Sequence, residues 1–119
     1  MADRDIKDFI MKIDFDTAKT ANLAELIDYS ADAIVSKTLI KKDTGTVTLF
    51  AFDKGQGLSE HTTPFNAMVQ VVDGEATVII DKNKHTVSSG EFIIMPADVP
   101  HALDAEKRFK MLLTMIKSK

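Results

Sequence analysis

From Ile34 onwards, the chain consists of short runs rich in Val, Ile, Thr and Phe that are separated by Gly, Asp and Asn. Runs of this kind are typical of β-strands, and the separating residues tolerate the positive φ angles of tight turns. Separators such as Asp43-Thr44-Gly45 and Asp73-Gly74 favour hairpins, so the strands should pair antiparallel. The pattern predicts an all-β sandwich or barrel. The expected strands lie near residues 34–41, 46–53, 67–73, 75–81, 84–88, 92–95, 101–105 and 109–116.

The 119 residues are enough for one domain with a single core. We expect an N-terminal arm over residues 1–30, packed on one barrel domain over residues 31–119. Within the arm, Asn22 should cap a single helical turn, with Glu25 at the carboxylate position of a capping box. Upstream of that turn, either an arm or a frayed helix is indicated by four apolar residues at helical spacing, namely Ile6, Phe9, Ile10 and Ile13.

The composition excludes several classes of function. The chain has no cysteine, which rules out disulfides, thiolate metal sites, iron–sulfur clusters and cysteine nucleophiles. Its 15 basic and 18 acidic residues are mixed along the sequence, so no basic face for nucleic acid is expected. No stretch has the roughly 20 apolar residues of a membrane-spanning helix, and residues 1–16 do not resemble a signal peptide. We therefore expect a cytoplasmic protein that binds neither nucleic acid nor membranes.

Several of the predicted strands are apolar on both faces. Residues 68–72 read Met-Val-Gln-Val-Val, and residues 92–95 read Phe-Ile-Ile-Met. A monomeric barrel would place polar side chains on its outer face, so a second layer is needed to cover that face. The simplest cover is another copy of the chain, which predicts a homodimer with sheet-to-sheet packing.

Two of the three histidines lie where a chemical site could form. His61 follows the loop Gly55-Gln56-Gly57, and His101 follows a turn bracketed by two prolines. Both are expected to open strands at rigid corners and to face each other across one opening of the barrel. The third, His85, is expected to point to solvent. No Ser lies in a Gly-x-Ser-x-Gly elbow, so a serine nucleophile is not expected.

Around these histidines the sequence resembles the cupin family, whose barrels carry two motifs. The first motif reads Gly, five residues, His, one residue, His, three or four residues, Glu, six residues, Gly. Gly55, His61 and Gly74 stand at these spacings, whereas Thr63 and Ala67 replace the second His and the Glu.

The second motif reads Gly, five residues, Pro, one residue, Gly, two residues, His, three residues, Asn. Gly90, Pro96 and His101 match it, whereas Asp98 and Ala105 replace the inner Gly and the Asn. The resemblance covers roughly residues 34–116. It implies an all-β, cupin-type jelly-roll barrel, or double-stranded β-helix, with a short N-terminal arm or helical turn.

The resemblance also implies a metal site in the barrel mouth. In the family, the two His and the Glu of the first motif and the His of the second usually hold a divalent metal. Only His61 and His101 remain of that set here, and the carboxylate, its one anionic donor, is lost. A divalent transition metal such as Zn, Ni, Mn or Fe would be held by these two imidazoles, with water or Asn66 completing its shell, at reduced affinity.

Three functions remain open from the sequence alone. In the first, which we favour, the barrel binds an apolar small molecule that His61 and His101 orient by hydrogen bonds. In the second, the chain is a metal-dependent isomerase, lyase or dioxygenase acting on a small oxygenated metabolite. In the third, one imidazole shuttles a proton without a metal. The sequence does not decide whether the chain is an enzyme. The residues expected to contact the ligand are His61, Thr63, Asn66, Val69, Val71, Met95, His101, Met111 and Leu113.

Overall fold

The computed structural model describes residues 17–117 and confirms the all-β fold class. Within that range, no helix has the length and apolar character needed to cross a bilayer. The apolar residues at helical spacing, Ile6, Phe9, Ile10 and Ile13, lie outside the described residues. The strands are β1 (Ile34–Lys42), β2 (Gly45–Phe52), β3 (Gly57–His61), β4 (Phe65–Ile80), β5 (Asn83–Ser88), β6 (Phe92–Met95), β7 (His101–Asp104) and β8 (Phe109–Lys117).

The strands form two antiparallel sheets that share β4. In the first, sheet A, the strand order is β1-β2-β8-β4-β6. In the second, sheet B, the order is β5-β4-β7-β3. Residues 65–74 of β4 pair within sheet A, and residues 75–80 pair within sheet B. The shared strand therefore carries the chain from one layer of the barrel to the other.

The prediction of a hairpin at Asp73-Gly74 is wrong, because β4 runs continuously through these residues. The register of β4 against β8 shifts between Val71 and Asp73, as at a β-bulge, and Gly74 has a φ of 77°. This combination bends the strand without ending it. A Cβ atom at position 74 would collide with the carbonyl oxygen of Arg108, so the bend also requires the close approach that only glycine allows.

The inner faces of the two sheets pack into one hydrophobic core. Phe52 and Phe109 are both fully buried, and their rings stack with centroids 4.5 Å apart. Residues of sheet A such as Val69 and residues of sheet B such as Val78 belong to the same buried cluster. The sheets therefore face each other across a filled interior, as expected for a small barrel.

Part of the outer face of sheet A is covered by the chain itself. Asn22 caps the 3₁₀ turn Leu23–Glu25, as predicted, by accepting a hydrogen bond from the Ala24 amide at 3.0 Å. Just beyond the turn, Ile27 is 3% exposed and packs on Leu49 and Ala51 of β2. This segment thus buries part of the outer face, although the division into an arm and a barrel domain stays a prediction.

A polar cluster fastens the same segment to the barrel. The Tyr29 hydroxyl donates a 2.5 Å hydrogen bond to Oδ2 of Asp73 at the β4 bend. The guanidinium of Arg108 lies 4.3 Å from the centre of the Tyr29 ring, in cation–π contact, and also pairs with Asp53 at 3.2 Å. Burial, and then the bond to Asp73, raises the pKa of the Tyr29 phenol well above its usual value, so the hydroxyl remains a donor.

Removing this hydroxyl should loosen the segment measurably. We expect Tyr29→Phe to reduce the free energy of unfolding by about 1 kcal/mol, because Asp73 loses a charge-assisted hydrogen bond while the ring keeps its packing. Urea unfolding of Tyr29→Phe, Asp73→Asn and the double variant forms a cycle that isolates the pair. Strictly additive losses would contradict the assigned bond.

Candidate functional site

The end of the barrel opposite the Gly74 bend brings both ends of β4 together. Phe65, the first residue of β4, follows His61 closely in the chain, and His61 pairs with His101, which pairs with Ile80, the last residue of β4, so both ends of this bent strand lie at the same end. We call this end the mouth. His101 pairs with Ile80, and His61 pairs with His101, so both histidines lie at the mouth on the sheet B side.

The two histidines lie at opposite ends of their strands. His101 is the first residue of β7, as predicted. His61 is the last residue of β3, so the prediction that it opens a strand is wrong. β3 itself was not expected, because Gly57-Leu58-Ser59-Glu60-His61 contains few residues of high β propensity.

An irregularity in β3 brings the histidines side by side. Leu58 pairs with Leu103 and His61 with His101, so three steps along β3 match two along β7. The additional residue is a β-bulge, which puts His61 opposite His101 in place of Glu60. The ring centroids lie 4.5 Å apart with an angle of 65° between the planes. The histidines are thus neighbours on paired strands. The expectation that they face each other across the opening is wrong.

Both rings are held by the same local hydrogen bond. His61 Nδ1 lies 2.8 Å from the carbonyl oxygen of Ser59, and His101 Nδ1 lies 3.1 Å from that of Val99. A carbonyl oxygen only accepts, so Nδ1 of each neutral ring carries the hydrogen and donates it. The tautomer follows from this: Nε2 of each ring carries the lone pair and is an acceptor or a metal ligand.

The burial of His101 makes its Nε2 atom unusual. The residue is only 5% exposed, and within residues 17–117 its Nε2 has no hydrogen-bond partner. Buried polar atoms in proteins are nearly always satisfied by a protein group, an ordered water or a ligand. His61 beside it is exposed, so the pair connects a buried acceptor with the solvent.

Thr63 and Asn66 hold the turn that precedes His101. The Asp98 amide donates to the Thr63 carbonyl oxygen at 2.8 Å, and the Ala97 amide donates to Oδ1 of Asn66 at 2.9 Å. Asp98 has a φ of 62°, a conformation that Asp tolerates and that explains the family's preference for Gly there. Asn66 is exposed and precedes Ala67, whose side chain points into the core, so the Asn66 side chain points outwards. There it contacts the turn through its bond to the Ala97 amide.

The apolar residues predicted to contact a ligand all lie on the inner face of sheet A. They belong to one packed cluster in which Val69, Val71 and Met111 are fully buried. Met95 is 3% exposed, and Leu113 is partly buried against the same cluster. These side chains fill the barrel below the mouth.

A cavity of about 260 Å³ lies beside Phe65 on the sheet A side of this end, and neither His61 nor His101 lines it. Phe65 and Met115 contribute apolar surface to it, and three lysines, Lys41, Lys42 and Lys117, surround it together with Asp43. It is the part of the mouth that sequence reasoning missed, because the β1–β2 hairpin residues carry no motif.

The side chains at the mouth do not fit a metal held by three or four protein ligands. Within residues 17–117, no group of three or more His, Asp or Glu side chains could hold an ion together. At the positions of the missing family ligands, Ala67 has no donor and is 2% exposed, and the Thr63 hydroxyl lies 3.4 Å from the backbone of Phe65. Glu60, the nearest carboxylate in sequence, pairs with Lys82 at 3.0 Å. Only two imidazole donors remain.

Comparisons with known proteins agree with this architecture. The chain is similar in structure to a conserved protein of unknown function from Streptococcus pyogenes, with a TM-score of 0.85 and 36% identity over 89% of this chain and 93% of that one. It is also similar to a cupin 2 conserved barrel domain protein from Leptotrichia buccalis, with a TM-score of 0.79 and 42% identity over 82% of this chain. The match spans 47% of that protein's length.

A third similar structure is a cupin superfamily protein from Desulfitobacterium hafniense, with a TM-score of 0.82 and 26% identity over 88% of this chain and 96% of that one. No curated protein matches the chain. The cupin domain family matches residues 48–116, which include both histidines of the mouth and the Gly74 bend. The chain therefore belongs to the cupin domain family.

Proposed function

We propose that this cupin binds a small molecule at the barrel mouth and holds it by hydrogen bonds to Nε2 of His61 and His101. The observation that supports this most directly is His101, a residue only 5% exposed whose Nε2 has no hydrogen-bond partner among the described residues. A ligand that donates a hydrogen bond there would satisfy an otherwise costly buried acceptor.

The tautomers favour a ligand that donates hydrogen bonds. Two neutral acceptors side by side, with ring centroids 4.5 Å apart, match a molecule with two neighbouring hydroxyl donors. Its apolar body would lie against the mouth surface to which Phe65 and Met115 contribute. The ligand class proposed is thus an apolar vicinal diol, such as a catechol.

A metal-dependent enzyme is the second candidate. Its support is the Nδ1-to-carbonyl bond in both rings, the same arrangement that orients histidines which ligate metals. A similar fold occurs in a salicylate 1,2-dioxygenase from Pseudaminobacter salicylatoxidans, but at 16% identity the likeness concerns the fold alone. With two protein donors, Zn, Ni, Mn or Fe would be bound weakly, so we place this candidate second. Less than about a tenth of an equivalent of metal in untagged protein would remove it.

Titration calorimetry with a matched pair of probes tests the proposal. Catechol has two hydroxyl donors, and 1,2-dimethoxybenzene has the same ring and no donor. We expect catechol to bind saturably and the dimethoxy compound at least about tenfold more weakly, because each lost hydrogen bond costs about 1 kcal/mol. Equal affinities for the two probes, or no saturable binding of catechol, would contradict the proposal.

Variants locate the binding in the same experiment. His101→Phe and His61→Phe should each weaken catechol binding by about tenfold. His85→Phe is the matched control, because His85 is exposed on β5 and should leave the affinity unchanged. Testing both mouth variants guards against one that fails to fold. An effect of His85→Phe as large as theirs would move the site away from the mouth.

A further inference from the structure

The cavity beside Phe65 combines apolar surface with a rim of positive charge. Phe65 and Met115 provide the apolar surface, and Lys41, Lys42 and Lys117 provide the charge. Its volume of about 260 Å³ lies just below the roughly 300 to 1,000 Å³ of pockets that hold drug-sized molecules, so it suits a small ligand. A ligand for this cavity has to match both kinds of surface.

The strand pairings direct two of the lysines towards the inside of the barrel. Lys41 pairs with Thr46, and Thr46 pairs with Met115, which packs against the core. Residues directly opposite each other on antiparallel strands point to the same face of the sheet. Lys117 lies two residues beyond Met115 on β8, pairs with Phe65 and therefore shares that face. Both lysines thus extend from the inner face of sheet A at the end where the cavity lies.

The charge of these lysines is not neutralised by the described part of the chain. Among residues 17–117, the side chains of Lys41, Lys42 and Lys117 form no ion pair and no hydrogen bond, whereas three other lysines pair with glutamates. Asp43 is the one acidic residue among those that line the cavity. Three positive charges and one negative charge leave a local excess of two positive charges in a chain whose net charge is -3. Such a concentration of one sign of charge in a concave site attracts anions.

The backbone around the cavity is held in place by hydrogen bonds. The Lys117 amide donates to the Thr44 carbonyl oxygen at 2.8 Å, which attaches the β1–β2 hairpin to the end of β8. Lys42 pairs with Gly45 beside the same turn. The strands that carry the lysines are therefore fixed before a ligand arrives, which lowers the ordering cost of binding. The apolar stems of the lysines contribute surface while their ammonium groups reach the charged part of a ligand.

We propose that this cavity binds a small organic carboxylate. The apolar body of the ligand packs on Phe65 and Met115, and its carboxylate accepts charge-assisted hydrogen bonds from the ammonium groups of Lys41 and Lys117. An organic monoanion fits better than inorganic phosphate, because the two apolar side chains offer no donors to further oxygens. The inference goes beyond the diol proposed above, since a charge is recognised here and neither mouth histidine lines the cavity.

Titration calorimetry with three probes tests this proposal. Benzoate has both a carboxylate and an apolar body, benzamide has the same ring without the charge, and acetate has the charge with almost no apolar body. We expect benzoate to bind saturably and each of the other two at least about tenfold more weakly. Raising the salt concentration from about 20 to about 300 mM should weaken benzoate binding several-fold, because salt screens the lysines. Benzamide or acetate binding as tightly as benzoate, or no saturable binding of benzoate, would overturn the proposal.

Lysine variants test which side chains recognise the charge. Lys41→Met and Lys117→Met keep most of the apolar stem and should each weaken benzoate binding about fivefold. Lys84→Met is the matched control, because Lys84 lies on β5 in sheet B, away from the cavity. His101→Phe should also leave the benzoate affinity unchanged, so a failure of diol binding is distinguishable from a failure of this site. Unchanged benzoate affinity in a folded Lys41→Met/Lys117→Met double variant would overturn the proposal.

Methyl NMR of methionine-labelled protein tests the location. Benzoate should shift the methyl signal of Met115, which is assigned by its loss in Met115→Leu, because the ring of the ligand lies against that side chain. Met68 is the internal control, since it alternates with the core residues Ala67 and Val69 and faces outwards from sheet A. A saturable shift of the Met68 methyl signal without one of Met115 would place the carboxylate elsewhere and contradict the assignment.

Discussion

Replacing Gly74 with alanine is expected to lower the free energy of unfolding by at least about 3 kcal/mol and the melting temperature by about 10 °C or more. Two costs combine at this position. The φ of 77° is unfavourable for a residue with a Cβ, and the added carbon would collide with the Arg108 carbonyl oxygen. Because that oxygen belongs to the backbone just before β8, relief would require moving two strands at the bend.

Gly90→Ala is the matched control for this prediction. Gly90 has a φ of 92°, but a Cβ there would meet nothing within 4 Å. It should therefore show the conformational cost alone, about 1 to 2 kcal/mol. Urea unfolding of both variants at equal protein concentration measures the difference. If Gly74→Ala is no less stable than Gly90→Ala, the close approach at the bend is not a feature of the folded protein.

Truncating Phe109 to alanine should cost about 3 to 5 kcal/mol of stability. The side chain is fully buried, stacks on Phe52 at 4.5 Å and lies in the cluster that joins both sheets. Its removal leaves a cavity that the surrounding strands cannot fill, and it also removes the ring stacking. The midpoint of urea unfolding provides the measurement.

Phe109→Leu separates the effect of the cavity on stability from the effect of losing an aromatic ring. Leucine refills most of the volume, so we expect it to recover more than half of the stability lost in Phe109→Ala. A loss below about 1 kcal/mol for Phe109→Ala would place the ring outside a close-packed core. Such a result would contradict the packing of the two sheets.

Most strands could be predicted because their own residues have high β propensity. The runs that became β1, β2 and β8 are dense in β-branched and aromatic residues, and their predicted ends lie within about two residues of the observed ones. The errors arose where pairing overrides local signals. Asp73-Gly74 has the composition of a hairpin turn, yet β4 has partners on both sides of it and continues. Similarly, β3 is a strand because β7 supplies its hydrogen bonds.

The site was predictable in its components but not in its geometry. The motif spacings pointed to His61 and His101, and the structure brings their rings together. Their arrangement depends on one additional residue in β3. Because of this residue, His61 lies opposite His101 in the place that Glu60 would otherwise occupy. The bonds from Nδ1 to the carbonyls of Ser59 and Val99 use backbone atoms, which every residue possesses. No side-chain pattern could have revealed the tautomers that these bonds impose.

The most direct test of the account is a long-range ¹⁵N–¹H correlation spectrum of the histidine rings at alkaline pH, where imidazoles are neutral. We predict that His61 and His101 both show the tautomer with hydrogen on Nδ1 and the lone pair on Nε2, with the exposed His85 as an internal reference. This result would establish the two neighbouring acceptors on which ligand binding depends. A hydrogen on Nε2 of either mouth histidine would contradict it.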